Sequence, residues 1–178
     1  MLKVYDYAIT LAEFPDEVAL CLNISNCPCR CEGCSEKYLW DDVGEELTIS
    51  KLDKIIEIYK EKGITLIGFM GGDADPIYLG RILEYLKHTY DLKTGFYSGR
   101  DYIDLHLAPY LDYYKIGRFI QPQGDVQNWH KRTNGPIIFP WSNQKMYKKV
   151  DHRLVDITDR FRQNPVSALD KYILKEDE

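Results

Sequence analysis

Four cysteines are crowded into eight residues of this chain, directly after an apolar segment. They are Cys27, Cys29, Cys31 and Cys34. Residues 18–24 (VALCLNI), just before them, have the unbroken apolar character of a buried strand. A fifth cysteine, Cys21, lies inside that strand and is predicted to be a core residue. Clustered thiols at the end of a buried strand are predicted to hold a metal or to take part in a redox reaction.

The number and the crowding of the cysteines disfavour a disulfide framework. The count is odd, at five in 178 residues, and the first residues lack the basic-then-apolar layout of a signal peptide. No apolar run approaches the roughly 18–20 residues that span a bilayer. The net charge of −5 argues against a large nucleic-acid-binding face. The sequence therefore predicts a cytoplasmic protein that binds neither a membrane nor a nucleic acid.

Three of the clustered cysteines have the spacing C-x3-C-x2-C. Thiolates from Cys27, Cys31 and Cys34 can hold three irons of a 4Fe–4S cluster and leave the fourth iron without a protein ligand. A cofactor or substrate can coordinate such an open position. Cys29 lies between them, and in an extended loop its side chain is predicted to point the opposite way. The alternatives are a zinc site that uses all four thiolates, although zinc sites usually take well-separated pairs, and a loop without metal.

Strands and helices alternate along the rest of the chain. The predicted strands cover residues 18–24, 64–70, 93–98, 113–116 and 137–140, and residues 154–157 are strand-like. Four helices are predicted. The first has Ser50 as its N-cap and ends at Gly63, and the second has Ile82, Leu83 and Leu86 facing inward. The third is short, from about 101 to 111, and the fourth is a weak helix in the C-terminal tail. Strands separated by such helices predict right-handed βαβ units, and hence an α/β fold with a mainly parallel sheet.

Three loops that follow predicted strands are expected to meet at one edge of the sheet. They are the cysteine loop, Gly71-Gly72-Asp73 and Ser98-Gly99. Ligands of parallel sheets bind beyond the carboxyl ends of the strands. Glycine allows the backbone to approach a ligand closely, and a carboxylate is a suitable acceptor for a cationic amine. The sequence therefore predicts one ligand site built from these three loops.

The segment NCPCRCEGC, residues 26–34, resembles the cluster loop of radical S-adenosylmethionine (SAM) enzymes. It is most similar to that of the activating proteins of anaerobic (class III) ribonucleoside-triphosphate reductases. Trp40 occupies the place of a downstream Trp in those proteins, and Ser142-Asn143-Gln144 resembles their S-N-Q segment near the C-terminus. Two positions depart from the pattern: Cys29 stands where relatives commonly have His, and Ser35 where they usually have an aromatic residue.

The resemblance covers about residues 15–150 and implies two cofactors. These are a 4Fe–4S cluster on Cys27, Cys31 and Cys34, and SAM. The residues that it implies for SAM binding are Gly33, Ser35, Gly71, Gly72, Asp73 and Ser98. Relatives commonly have G-G-D-P where this chain has GGDADP, so Asp75 is an alternative to Asp73 as the partner of the SAM ammonium. No catalytic residue is implied beyond the cluster and SAM.

For the whole chain, the resemblance implies one radical SAM domain over residues 1–178, with residues ~151–178 as a C-terminal extension. A chain this short is expected to form a partial (open) β/α barrel. The implied activity is the reductive cleavage of SAM, which generates the glycyl radical of anaerobic ribonucleoside-triphosphate reductase. The implied partners are the C-terminal glycine loop of that reductase and a low-potential electron donor such as flavodoxin. Alternatives are a formate-lyase-type activator, a deazapurine synthase, or a non-catalytic metal-binding interaction module.

Overall fold

The computed structural model describes residues 1–120 and 143–161, which form an eight-stranded sheet with two α-helices. The strands are β1 (Lys3–Thr10), β2 (Ala19–Ile24), β3 (Glu45–Glu46), β4 (Leu66–Met70), β5 (Lys93–Tyr97), β6 (Tyr113–Ile116), β7 (Lys145–Val150) and β8 (Arg153–Asp156). The helices are α1 (Ile49–Tyr59) and α2 (Pro76–Thr89). The spatial order of the strands is β3-β1-β2-β4-β5-β6-β7-β8.

The centre of the sheet is parallel and its flanks are antiparallel. The pairs β2–β4, β4–β5 and β5–β6 are parallel, whereas the four outer pairs are antiparallel. The prediction of an α/β fold is therefore confirmed, but the prediction of a mainly parallel sheet is wrong for the described strands. Parallel and antiparallel pairs are mixed in this sheet, and the antiparallel pairs are more numerous. At one flank, β7 and β8 form a tight hairpin, joined by Asp151-His152, which both have left-handed backbones. The described sheet runs openly from β3 to β8, without closing on itself.

Most predicted elements correspond to observed ones. The predicted strands at 18–24, 64–70, 93–98, 113–116 and 154–157 correspond to β2, β4, β5, β6 and β8. The predicted strand at 137–140 lies outside the described residues, as does most of the tail with its predicted final helix. Helix α1 begins two residues earlier than predicted, because Thr48 rather than Ser50 is its N-cap. The Thr48 hydroxyl accepts a hydrogen bond from the Lys51 amide at 3.1 Å.

The predicted helix over residues 101–111 is wrong. Only Ala108–Tyr110 forms a single 3-10 turn there. The Asp104 carboxylate accepts a hydrogen bond from the His106 amide at 2.9 Å, which offers the backbone an alternative to helical pairing. Within the described residues, no helix is both long and apolar enough to cross a membrane.

The two faces of the sheet are covered differently. Helices α1 and α2 pack on one face through Leu52, Ile55, Leu79 and Ile82, which belong to the larger core cluster. The opposite face is covered by Phe14, from the loop between β1 and β2. We call this opposite face, defined by Cys21, Gly68, Gly95 and Tyr113, the Phe14 face.

Phe14 is fully buried because two strands leave room for its ring. A Cβ atom added at Gly68 or Gly95 would lie 2.4 Å or 2.2 Å from ring atoms of Phe14. The rings of Tyr97 and Tyr113 lie 5.0 Å and 5.9 Å from the Phe14 ring, measured between centroids. Phe14 thus holds the loop between β1 and β2 against the centre of the parallel strands, below the edge where the cysteine loop begins.

Replacing Phe14 with alanine is expected to lower the free energy of unfolding by about 3–5 kcal/mol, because a fully buried ring is lost and a cavity remains. Urea unfolding followed by circular dichroism measures this change. Leu11→Ala is the matched control, since Leu11 lies in the same loop with 63% of its surface exposed. Equal effects of the two substitutions would show that Phe14 does not anchor this face.

Candidate cofactor site

A cavity of about 210 Å³ lies at the carboxyl ends of the parallel strands. All four cysteines of the loop after β2 line it. The Gly71–Asp73 loop after β4 contributes Gly71 and Asp73, and the loop after β5 contributes Ser98 and Gly99. The three loops that the sequence analysis singled out therefore surround one space.

The cysteine loop is held by backbone hydrogen bonds to the segment that follows it. The Asn26 amide donates to the Asp41 carbonyl at 3.0 Å, and the Cys27 amide donates to the Leu39 carbonyl at 2.9 Å. Asn26 and Arg30 both have left-handed backbones, with φ of 60° and 44°. The loop is therefore coiled, which lets cysteines separated by several residues face the same cavity.

The environment of Cys27 favours its thiolate. The Cys29 thiol donates a hydrogen bond to the Cys27 sulfur, and the amides of Cys29 and Arg30 also donate to it. These bonds lower the pKa of Cys27 to about 6, against the opposing effect of burial. Burial raises the pKa of Cys31. Since the thiolate is the form that binds a metal, Cys27 is prepared for ligation before any metal is present.

The arrangement fits the ligand set of a 4Fe–4S cluster. In the part of the chain that the structure describes, no three His, Cys, Asp or Glu side chains converge as ligands of one ion. A 4Fe–4S cluster makes a different demand, because each thiolate binds a different iron. Cys27, Cys31 and Cys34 meet that demand by lining one cavity.

Asp73 links the three loops. Its carboxylate is 5% exposed and accepts hydrogen bonds from the Ser98 hydroxyl at 2.6 Å and the Gly99 amide at 2.9 Å. The Cys29 sulfur lies 3.5 Å from the same carboxylate, and Arg100 Nε lies 3.4 Å from it. These contacts fix the orientation of a buried negative charge at the wall of the cavity.

Cys29 differs from the other three cysteines of the loop. Its hydrogen bond to Cys27, followed by burial, raises its pKa, and its sulfur also lies within hydrogen-bond distance of the Asp73 carboxylate. The expectation that its side chain points away from its neighbours is wrong, because the loop is coiled rather than extended. Cys29 packs so closely on Gly99 that a Cβ atom there would lie 2.6 Å from the Cys29 Cβ. Arg118 Nη2 donates to the Cys29 carbonyl at 3.0 Å.

Asp75 has a different position from Asp73. It is the N-cap of α2, with its carboxylate accepting from the Tyr78 amide at 3.0 Å, and Pro76 follows at the first helical position. The terminal amine of Met1 lies 2.9 Å from Asp75 Oδ2. The hydrogen bond from this amine is the main reason that the pKa of Asp75 is lowered. Asp73, and not Asp75, lines the cavity.

Replacing Asp75 with alanine is expected to lower the free energy of unfolding by about 1 kcal/mol, the usual value of a helix N-cap. SAM affinity should not change. Thermal unfolding and equilibrium binding of the same preparation test the two statements, with the exposed Asp91→Ala as a control. A loss of SAM affinity in Asp75→Ala would assign this carboxylate to the ligand after all.

The residues that the resemblance implied for SAM fall into two groups. Gly71, Asp73 and Ser98 line the cavity. Gly33, Ser35 and Gly72 do not belong to its lining, so their contacts with SAM stay predictions. Gly72 has φ of 134°, and a Cβ atom there would lie 3.0 Å from Leu79 Cδ2, which gives this glycine a packing role at the start of α2.

Several lining residues were missed from the sequence. Lys115 and Tyr97 line the cavity from the Phe14 face. Trp40, which the resemblance had already singled out, lines it from the cysteine side. A lysine inside the apolar segment YYKI was the available signal for Lys115. In the S-N-Q segment, Ser142 lies outside the described residues, whereas Gln144 lines the cavity and its Nε2 donates to the Gly117 carbonyl at 3.3 Å.

Comparison with known proteins identifies an iron–sulfur family. The family described as 4Fe-4S single cluster domain matches residues 17–135. Among curated proteins, the chain is similar to the anaerobic ribonucleoside-triphosphate reductase-activating protein of Vibrio cholerae serotype O1 (strain ATCC 39315 / El Tor Inaba N16961), with 28% identity over 130 residues, covering 65% of this chain and 84% of the relative. No solved structure matches the chain. The resemblance found in the cysteine loop is thereby confirmed, and this chain belongs to the 4Fe–4S single cluster domain family.

Proposed function

We propose that this protein is a radical SAM activase that generates the glycyl radical of an anaerobic ribonucleoside-triphosphate reductase. In this proposal Cys27, Cys31 and Cys34 hold the 4Fe–4S cluster, and SAM binds in the adjoining cavity. The observation that carries the proposal is that these three cysteines and Asp73 line one cavity at the carboxyl ends of parallel strands. The similarity to the reductase-activating protein of Vibrio cholerae supports the choice of partner.

The residues of the chain have distinct tasks in this proposal. When bound, the cluster and SAM supply the reductive cleavage and the hydrogen abstraction that protein side chains lack. Hydrogen bonds from the Cys29 thiol and from the amides of Cys29 and Arg30 favour the thiolate form of Cys27. Asp73 provides the negative charge for the ammonium of SAM. Ser98 and Gly99 hold the Asp73 carboxylate in a fixed orientation.

The partners follow from this assignment. The protein substrate would present its C-terminal glycine loop to the cavity, and a low-potential electron donor such as flavodoxin would reduce the cluster. The predicted cytoplasmic location belongs to the same proposal. No residue is assigned to proton transfer, because abstraction of a hydrogen atom requires no side-chain acid or base.

The proposal is tested by anaerobic reconstitution, followed by SAM cleavage with dithionite in the absence and presence of the reductase. We expect about four irons per chain, 5′-deoxyadenosine in both reactions, and a glycyl radical signal in the electron paramagnetic resonance (EPR) spectrum only with the reductase. One zinc per chain, or a cluster without SAM cleavage, would instead assign the protein as a metal-binding interaction module. Cleavage that activates only a different glycyl-radical enzyme would exclude the reductase as partner.

A further inference from the structure

Most of the outer edge of β1 has no partner strand in the part of the chain that the structure describes. On its inner side β1 pairs with β2 along almost its whole length. On its outer side β3 pairs only with Lys3 and Val4. A Cβ atom at Gly44 would lie 2.8 Å from the Tyr5 Cα, so the loop before β3 closes over Tyr5 as well. Residues 6–10 therefore present backbone N–H and C=O groups at a sheet edge.

A groove of about 680 Å³ lies between β1 and helix α1. We call it the β1 groove, and its lining includes residues 4–7 of β1 and Lys51, Lys54, Ile55 and Ile58 of α1. These four helix residues share one face of α1, because they are spaced by three, four and seven positions. Ile55 is buried, whereas Ile58 has 62% of its surface exposed. The helix wall of the groove is therefore partly apolar and open to solvent.

The shape of this groove suits an extended polypeptide. The donors and acceptors of a strand edge repeat with the spacing of a strand, and another extended chain matches them over several residues. The five residues from Asp6 to Thr10 correspond to roughly 17 Å of strand. When a peptide adds to an edge in this way, its main chain provides hydrogen bonds and its alternate side chains enter the adjoining pockets.

The charges of the groove indicate which side chains it would accept. The Lys51 ammonium contacts the Glu45 carboxylate. The exposed Lys54, one turn further along α1, has neither an ion pair nor a hydrogen bond among the described residues. The Asp6 carboxylate accepts a hydrogen bond from Asn23 Nδ2 at 2.6 Å. The groove therefore matches a segment that brings an apolar side chain to Ile58 and a carboxylate to Lys54.

The β1 groove adjoins the cofactor cavity. Asp6 lines the groove, and Asn23, its partner in register on β2, lines the cavity. The hydrogen bond between these two side chains lies at the boundary of the two spaces. A polypeptide in the groove is thus brought to the edge of the cavity. Under the proposed function, the polypeptide that must enter this cavity is the protein substrate.

We propose that the β1 groove is a docking site for the protein substrate, which adds an extended segment outside its glycine loop to the outer edge of β1. The inference rests on the proposed function for the identity of the occupant. The segment carries an apolar side chain for Ile58 and a carboxylate for Lys54. Because these contacts are remote from the reacting atoms, they stabilise the bound substrate and the transition state equally, and their loss raises KM without lowering kcat.

The kinetic test compares the reductase with a short peptide that contains only its glycine loop. Glycyl radical formation is measured by EPR at increasing concentrations of each substrate. Lys54→Glu and Ile58→Glu should each raise the KM for the reductase about 10-fold, as expected for central residues of an interface. Both variants should activate the peptide as wild type does. Lys62→Glu and Ile77→Glu are the matched controls, since both residues are exposed and lie outside the groove.

Hydrogen exchange tests the strand addition itself. In wild type, the amides of residues 6–10 should exchange more slowly when the reductase is added, because a partner strand protects them. Lys54→Glu should show less of this protection at the same reductase concentration. A raised KM without protection of β1 would contradict strand addition. Protection that increases with the concentration of the activase alone would assign the groove to a second copy of this chain and overturn the choice of occupant.

The remaining outcomes separate this inference from the proposed function. Iron content and SAM cleavage equal to wild type establish that a variant has folded, and Lys54→Gln and Ile58→Ala replace variants that are unstable. An unchanged KM for the reductase would overturn the docking site and leave the proposed function intact. An equal loss of activity with the short peptide would place the effect in the cofactor cavity and also overturn the docking site. Wild-type protein that activates neither substrate would overturn the proposed function and, with it, this occupant.

Discussion

Replacing Cys31 with alanine is expected to abolish both cluster binding and SAM cleavage. Only Cys27 and Cys34 would remain as thiolate ligands, and two thiolates on this loop are too few to hold a cluster with one open iron. Cys29 is not a ready substitute, because its thiol donates to Cys27 and lies 3.5 Å from Asp73. Iron content after anaerobic reconstitution and the yield of 5′-deoxyadenosine measure the two losses.

Two further cysteines serve as controls for this experiment. Cys29→Ala should keep the cluster and SAM cleavage, since Cys29 is assigned as a hydrogen-bond donor rather than a ligand. Cys21→Ala should keep both as well, because Cys21 is buried in β2 and burial raises its pKa to about 12. A Cys29→Ala protein without iron, or a Cys31→Ala protein with the full amount, would contradict the assignment of the three ligands.

Replacing Asp73 with asparagine is expected to separate cluster binding from SAM binding. The charge for the SAM ammonium is lost, and the new amide would bring a donor toward the Ser98 hydroxyl or the Gly99 amide, both of which need an acceptor. SAM affinity should fall about 10- to 100-fold, as expected when a hydrogen bond to a charged group is lost. The iron content should remain close to that of wild type, because Asp73 is not a ligand of the cluster.

The matched control for Asp73→Asn is Asp75→Asn, two residues further along the chain. Asparagine is also a good N-cap, so Asp75→Asn should retain α2 and bind SAM as wild type does. Equilibrium binding and thermal unfolding of both variants complete the comparison. If Asp73→Asn loses thermal stability while its SAM affinity is unchanged, Asp73 only links the loops and the ammonium has another partner.

The central strands were predictable because each is an apolar run. β2 and β4 are buried on both faces, so their sequences ALCLNI and LIGFM show unbroken apolar character rather than alternation. The antiparallel strands β1 and β7 were missed, since KVYDYAIT and KMYKKV are partly exposed and carry charges. Flanking strands of this kind lack the continuous apolar run by which β2 and β4 could be recognised.

The candidate site was predictable only where a loop followed such a strand. The spacing of the cysteines and the position of Gly71 and Asp73 after a predicted strand could be recognised from the amino-acid sequence alone. Asp75 could have been recognised as a helix N-cap, because an Asp followed by Pro is a common helix start. The contact of Cys29 with Asp73, by contrast, joins residues 44 positions apart and depends on how two loops approach each other.

Lys115 illustrates the same limit on the Phe14 face. Its proximity to the cavity depends on the register of β6 with β5, which places it beside Tyr97. A one-residue shift of that register would place its side chain on the face covered by helices. The local sequence YYKI contains a charged residue but does not specify the face on which it lies.

The central claim is that three thiolates leave one iron available to SAM. The most direct test is the EPR spectrum of the reduced, reconstituted protein before and after SAM is added. We expect the spectrum of wild type to change on addition of SAM, and Cys29→Ala to show the same change. A wild-type spectrum that SAM leaves unaltered, and that changes only when Cys29 is removed, would show that a fourth protein sulfur occupies that iron and would contradict the account.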